Sequence, residues 1–268
     1  MQEVYCPSTY PKMQLSSLKL LIKDFIKEFL SFLGLKISRR SSGLFGVKNN
    51  FVYQFEPTKG DKFNWLKTMN INTVIDVGAH QGEWALELCK ILGYPNFYCF
   101  EPVRSNFLEL SHNLNLPNFK LFNLAVGDRQ GKLQMYRNNF LPGSSILKCS
   151  EFHLQTFPFS ANEEVETIDI NTLDEIFKLI DLKDNILLKI DVQGYEDKVI
   201  FGAKNILERI KVVIVETSFC ELYEGQALFT DIYQLLSKQG FIYSGSLEEL
   251  KSPRDGIPLQ QDSLFIKK

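Results

Sequence analysis

The chain has 268 residues, 44% of them hydrophobic and 23% charged, enough apolar material for one large α/β domain with an N-terminal addition. A formal net charge of −2 gives no electrostatic case for a nucleic-acid partner. The five cysteines (Cys6, Cys89, Cys99, Cys149 and Cys220) are an odd set without CxxC spacing, which points to a reducing, cytoplasmic setting and no disulfide framework.

Residues 1–14 hold two prolines and no periodicity and read as a loose arm. Residues 15–35 differ: Leu18, Leu21, Ile22, Phe25, Ile26, Phe29 and Leu33 make one apolar stripe, with Lys19, Lys23 and Lys27 opposite. Insertion of the 12 apolar residues here is worth roughly 7 kcal/mol, whereas five central charges cost well over about 10 kcal/mol. The segment therefore does not span a membrane. It is no signal peptide either, because charges interrupt the apolar run and no small-residue cleavage site follows. An amphipathic helix of this kind covers the following domain, forms a contact in a homo-oligomer, or lies peripherally on a membrane surface. Residues 36–60 are rich in Ser, Gly and Asn and read as a connector, with a short strand over Phe51–Phe55. The chain thus divides into an arm over 1–60 and a folded domain over 61–268, in which Asp61 caps a short helix through Met69.

Thr73–Val77 is an apolar β-branched run containing Asp76 and followed by Gly78, the pattern of a buried strand entering a turn. Gly78 and Gly82 bracket the turn. Helical spacing then runs from Glu83 to Leu92 and stops at Gly93-Tyr94-Pro95. A second strand, Phe97–Phe100, ends at Glu101, about 25 positions after Asp76 and close to the roughly 20-residue separation of nucleotide-binding βαβ units. Such a unit suits an adenosine-bearing cofactor. Glycines admit it to the backbone, helix-start amides attract its anionic group, and Glu101 accepts ribose hydroxyls.

Beyond Glu101, Phe107, Leu110 and Leu114 mark a second helix, and Phe119–Val126 a third strand leading to Asp128, whose carboxylate can reach an adenine amino group. Lys132–Tyr136 reads as an extra strand. Residues 138–162 lack periodicity and contain Gly143-Ser144-Ser145 and His153; a loop of that length usually covers a cofactor or shapes a substrate pocket. A helix over Leu173–Leu179 precedes the apolar strand Ile186–Val192, which carries Asp191. Gln193-Gly194-Tyr195-Glu196 and a helix through Leu207 follow. Val212–Val215 leads to Glu216, a last helix ends at Gly240, and Phe241–Ser244 with Ser263–Lys267 form a terminal strand pair. Apolar strands alternating with helices imply a mostly parallel sheet covered on both faces. Asp76, Glu101, Asp191 and Glu216 all fall at strand carboxyl ends, where open α/β sheets place their sites.

VIDVGAHQGEWA (74–85), FYCFEP (97–102), AVGD (125–128), GSS (143–145), TLD (172–174), LLKIDVQGYE (187–196) and IVETS (214–218) occur together in an order that resembles the FkbM family of class I methyltransferases. The resemblance covers about residues 70–268. It implies a Rossmann-like, seven-stranded, mostly parallel sheet with an antiparallel last strand. It also implies S-adenosyl-L-methionine as methyl donor and a hydroxyl acceptor on a sugar, glycan or natural product. The implied cofactor site comprises Asp76, Gly78, His80, Gln81, Gly82, Glu101, Val126, Asp128, Ser145 and Asp191. Two positions depart from the family pattern. His80 stands where asparagine is usual and still offers a donor to the cofactor carboxylate; Gln193 stands where glutamate is usual and brings no charge.

Methyl transfer from a sulfonium needs in-line alignment of the acceptor oxygen and a base for its proton. Asp191 is the leading base; His153 and Glu216 rank second. Lys189 shares a strand face with Asp191 and is placed to pair with it. His112, on a predicted helix away from the site, reads as a surface residue. Three alternatives remain open. The glycine turn and acid also occur in nicotinamide-dependent oxidoreductases, His80 and Gln193 are compatible with a catalytically silent binding module, and Asp191 with Glu216 could hold Mg²⁺, although no third ligand is visible and no metal is assigned.

Overall fold

A computed structural model describes residues 63–138, 144–161, 163–178 and 180–268. The amphipathic stripe over 15–35, the connector, the strand at Phe51–Phe55 and the Asp61 cap lie outside the described residues. Asn64–Met69 is a 3₁₀ helix, led by Phe63 without a side-chain cap.

Strand β1 (Thr73–Val77) is buried at every position and starts the main sheet. Helix α1 (Glu83–Leu92) runs between Gly82 and Gly93, and β2 (Asn96–Phe100), α2 (Arg104–Asn113) and β3 (Phe119–Phe122) complete the first half. A short β4 (Ala125–Val126), β5 (Gly131–Asn138), α3 (Glu151–Thr156) and β6 (Glu163–Asn171) follow. The second half contains α4 (Leu173–Phe177), β7 (Ile186–Ile190), α5 (Glu196–Phe201), β8 (Ile210–Ser218), α6 (Phe229–Lys238), β9 (Phe241–Lys251) and β10 (Pro258–Lys267).

Seven strands form one sheet in the order β3-β2-β1-β7-β8-β10-β9, parallel from β3 through β8, with the last strand β10 antiparallel to both neighbours. Strand alternation divides the core. Ile75, Phe100, Leu188 and Val213 pack with α4, α5 and α6 on one face; Val74, Phe97, Leu187 and Val212 pack with α1 and α2 on the other. Ile186, Leu187, Leu188 and Ile190 of β7 are 0% exposed, and each such side chain contributes roughly 1.5–3 kcal/mol by burial. Succession reverses direction between β1 and β7, so the crevice for a ligand opens outside their carboxyl ends.

The expected third strand divides after Phe122. Asn123 donates its amide to the Glu101 and Pro102 carbonyls, each at 2.9 Å, which breaks the strand. Ala125–Val126 then joins a separate three-stranded sheet, β4-β6-β5. Its middle strand β6 was not predicted, although Ile168 and Ile170 alternate with exposed Thr167 and Asp169. Residues 144–161 are likewise not a plain loop: Ser145 pairs with Tyr136, and Ser150 caps α3 while its backbone N–H donates to the Leu222 carbonyl. The helix predicted over Leu173–Leu179 spans Leu173–Phe177, and the one predicted through Leu207 ends at Phe201, with a separate 3₁₀ turn at Ile206–Glu208.

Candidate functional site

The turn after β1 is built on the backbone of its neighbours. Gly78 has φ +85, and a Cβ there would lie 1.8 Å from the Asp191 carbonyl oxygen. Only glycine fits. The Gly78 and Ala79 amides donate to the Phe100 carbonyl, and the Asp191 amide donates to Val77, so the ends of β1, β2 and β7 are stitched together. Gly82, at φ +90, lets α1 approach α2: a Cβ there would meet Leu114 Cδ1 at 2.7 Å. Gln81 offers its carbonyl to Asn113.

Glu101 is buried at the mouth of this turn. One carboxylate oxygen accepts the His80 amide at 3.0 Å and the other the Val103 amide at 2.9 Å. Burial pushes its pKa up to about 7, against the pull of these backbone donors. The His80 side chain turns toward Glu83, with Nδ1 3.9 Å from its carboxylate.

Across the crevice, three acids are linked by two side chains. Lys189 Nζ lies 3.6 Å from Asp76 and 3.2 Å from Asp191, and 5.3 Å from the centre of the Trp84 ring. Burial pushes the Lys189 pKa down, but Asp191 and Asp76 outweigh it and hold the ammonium above the ordinary lysine range. Burial raises the pKa of Asp76, whose Oδ1 has no hydrogen-bond partner. Gln193 Nε2 donates to both Asp191 Oδ1 and Glu216 Oε2 at 2.8 Å, and Gln193 Oε1 accepts the Tyr223 hydroxyl at 2.7 Å. Gln260 also donates to Glu216, at 3.0 Å. Burial, then the nearby carboxylates, push Glu216 well above the usual carboxyl range. The expected pairing of Lys189 with Asp191 is present, and Asp76, Asp191 and Glu216 come together; Glu101 stands apart at the glycine turn.

Ser145 reaches this network by donating its hydroxyl to the Gln193 carbonyl at 2.5 Å. Val126 is buried, and Asp128 is exposed and paired with Arg129 at 2.8 Å. His153 is buried between Phe157 and Tyr223, its ring centre 5.3 Å from that of Tyr223. Burial pushes its pKa down to about 4, and its Nδ1 has no hydrogen-bond partner. Tyr223 thus stands between His153 and Gln193. His112 is exposed on α2, as expected.

Three contributors were not singled out from the sequence, and Gln193 stood out there only as a lost charge. Tyr223 and Gln260 have no local signal, since they reach Gln193 and Glu216 from 30 and 44 positions away. Glu196 and the bridging role of Gln193 sit inside a motif that was legible. Glu196 accepts the Val192 and Gly194 amides, both at 3.1 Å, shaping the loop after β7, and burial pushes its pKa up to about 7. Among the described residues, no group of three or more His, Cys, Asp or Glu is placed to hold a metal ion.

The sequence profile of the methyltransferase FkbM domain matches residues 76–243, from the first site acid into β9. The chain belongs to the FkbM methyltransferase family. It is accordingly an S-adenosylmethionine-dependent methyltransferase, which sets aside the nicotinamide reading. It is similar to the 2-O-methyltransferase NoeI of Sinorhizobium fredii, with 27% identity over 172 residues that cover 61% of this chain and 70% of the relative. Among solved structures, methyltransferase FkbM from Methylobacillus flagellatus KT superposes with a TM-score of 0.44 at 14% identity, over 74% of this chain and 44% of that one. Magnesium protoporphyrin IX methyltransferase (ChlM) from Synechocystis PCC 6803, solved with bound SAM, gives a TM-score of 0.44 at 9% identity, over 97% and 88% of the two chains. Among the described residues of this FkbM-family chain, no helix is long and apolar enough to cross a membrane.

Proposed function

We propose that this chain methylates a hydroxyl oxygen of a sugar, glycan or similarly hydroxylated small molecule, with Asp191 as the proton acceptor. The carrying observation is the state of Asp191: a half-buried carboxylate at the carboxyl end of β7, held from both sides by Lys189 and Gln193. The likeness to NoeI, a 2-O-methyltransferase, supports an oxygen acceptor.

The donor set fits S-adenosylmethionine. Each Glu101 oxygen accepts one backbone amide, the Asn106 side chain also bonds the carboxylate, and the acceptor capacity that is left suits a ribose hydroxyl. Gly78, His80, Gln81 and Gly82 form the turn beside it, with Val126, Asp128 and Ser145 completing the proposed cofactor set. Asp76 and Asp191, balanced by a single ammonium, give the crevice an anionic lean that favours a sulfonium cation. When bound, S-adenosylmethionine supplies an electrophilic methyl group. The chain's own residues then align the acceptor oxygen and take its proton. Asp191 Oδ1 and Oδ2 each have one fixed donor, so the carboxylate faces the crevice in one orientation and receives the hydroxyl proton there. Glu216 stands behind Gln193 and fixes this arrangement. His153, neutral and one ring removed, ranks below Asp191 as a base.

The test is incubation with methyl-labelled S-adenosylmethionine and a panel of neutral oligosaccharides and polyhydroxylated small molecules. Label in the carbohydrate fraction, with an O-methyl resonance in the product, is the expected result. Transfer only to nitrogen or sulfur acceptors, or none at all despite tight S-adenosylhomocysteine binding, would overturn the proposal.

A further inference from the structure

Gln193 has almost no freedom left. Its backbone sits at φ +56, a left-handed conformation that costs a non-glycine residue roughly 1–2 kcal/mol. Its carbonyl accepts the Ser145 hydroxyl, and both ends of its side chain are engaged. The amide orientation follows from the partners: the two carboxyl groups accept from Nε2, and the Tyr223 phenol donates to Oε1. The same side chain therefore touches an acid after β7, an acid on β8 and a tyrosine beyond it.

Two carboxyl groups meeting at one point need a proton, a cation or a shared donor between them. Here the shared donor is a neutral amide, 2.8 Å from each. Other charges bear on the pair: Lys189 and Asp76 from one side, Glu196 from α5, and Asp262 from β10. None of them bridges Asp191 and Glu216. We infer that Gln193 is a positioning residue, a staple whose amide donates to Asp191 and Glu216 at once and so fixes the two carboxyl groups relative to each other. This rests on the reading of Asp191 as proton acceptor, because the staple matters to turnover through the orientation of that carboxylate. The same amide stands between Asp191 and Glu216, the two carboxyl groups that a shared divalent cation would have to reach.

Gln193→Glu preserves shape and exchanges the bridging donor for a third carboxyl group, so it should turn the staple into a cation site. The probe is Mn²⁺, followed by electron paramagnetic resonance on the full chain without donor or acceptor. The variant should bind one Mn²⁺ at least about tenfold more tightly than the unaltered chain, since affinity follows the number of carboxylate ligands. Adding Asp191→Asn should remove the gain. Manganese binding needs neither methyl donor nor acceptor, so its outcome is independent of the methyl-transfer proposal. A folded Gln193→Glu variant with unchanged Mn²⁺ affinity overturns the inference, as does tight Mn²⁺ binding at Asp191 in the unaltered chain. Gln193→Met, which keeps the shape and loses the donor, supplies a second readout in the labelled-methyl assay. Its kcat should fall at least about tenfold with KM for S-adenosylmethionine unchanged. An unchanged kcat overturns the inference.

Discussion

Replacing Glu101 by glutamine should move stability and cofactor affinity in opposite directions. Burial holds the Glu101 proton to about pH 7 rather than the ordinary 4.5. The folded state therefore retains that proton longer than the unfolded chain, and this group's contribution to stability falls as pH rises from 4.5 to 7 and is flat above. At pH 8 the ionised side chain costs the folded state about 3 kcal/mol. Glutamine removes this cost and gives up one of the two backbone bonds to His80 and Val103, worth about 1 kcal/mol. The variant should thus gain about 1–2 kcal/mol at pH 8, seen as a Tm higher by a few degrees, and gain nothing at pH 5. S-adenosylhomocysteine should bind at least about tenfold more weakly, because charge-assisted bonds to the ribose hydroxyls are worth roughly 1.5–3 kcal/mol each. In the unaltered chain, affinity should also weaken as pH drops below about 7, since the hydroxyls favour the carboxylate. Thermal melts at both pH values and titration calorimetry measure these effects. Undiminished affinity, or an equal stability loss at pH 5 and pH 8, refutes the reasoning.

Asp191→Asn should leave S-adenosylhomocysteine affinity unchanged and lower kcat by roughly 10² to 10⁴-fold in the labelled-methyl assay; a loss confined to KM would make the residue a substrate-positioning group instead. Gly78→Ala combines a left-handed backbone with a Cβ driven onto the Asp191 carbonyl, so its denaturant midpoint should reveal a loss of about 3 kcal/mol or more. His153 is held at about 4, below the 6.5 of an exposed histidine, so its contribution to stability is present above pH 6.5 and lost as pH falls toward 4. His153→Leu should flatten this acid-side decline, and melts that keep the full decline would show that another group causes it.

The legible part of the site was the part encoded locally. Thr73–Val77, the glycines at 78 and 82, and Glu83–Leu92 fold as predicted, because periodicity, turn and stop signal sit side by side. Asp191 was legible as the end of an apolar strand, and Lys189 as its neighbour by alternation. The break after Phe122 was not, because it depends on Asn123 reaching back to Glu101 and Pro102, 22 and 21 positions earlier. The bridging role of Gln193 was hidden for a related reason. A glutamine in place of the usual acid reads as a lost charge until Glu216 and Tyr223 are seen to converge on it. His153 is a titratable residue in an aperiodic stretch, yet it is buried against the rings of Phe157 and Tyr223.

The contact between Gly78 and the Asp191 carbonyl sets a ruler. The turn proposed to carry the methyl donor and the backbone of the residue proposed to take the proton are joined through main chain, so the interval between those two backbones does not depend on a side chain. Acceptor choice is then separable from reaction geometry. Segments outside this joint, such as residues 144–161 and the Leu222–Gln226 turn, can be exchanged for others that welcome a different acceptor, provided Ser145 and Tyr223 still reach Gln193. One fixed interval with replaceable surroundings is an economical arrangement for diversifying a methyltransferase, and chimeras that swap residues 146–161 between family members should keep S-adenosylhomocysteine affinity while changing the acceptor.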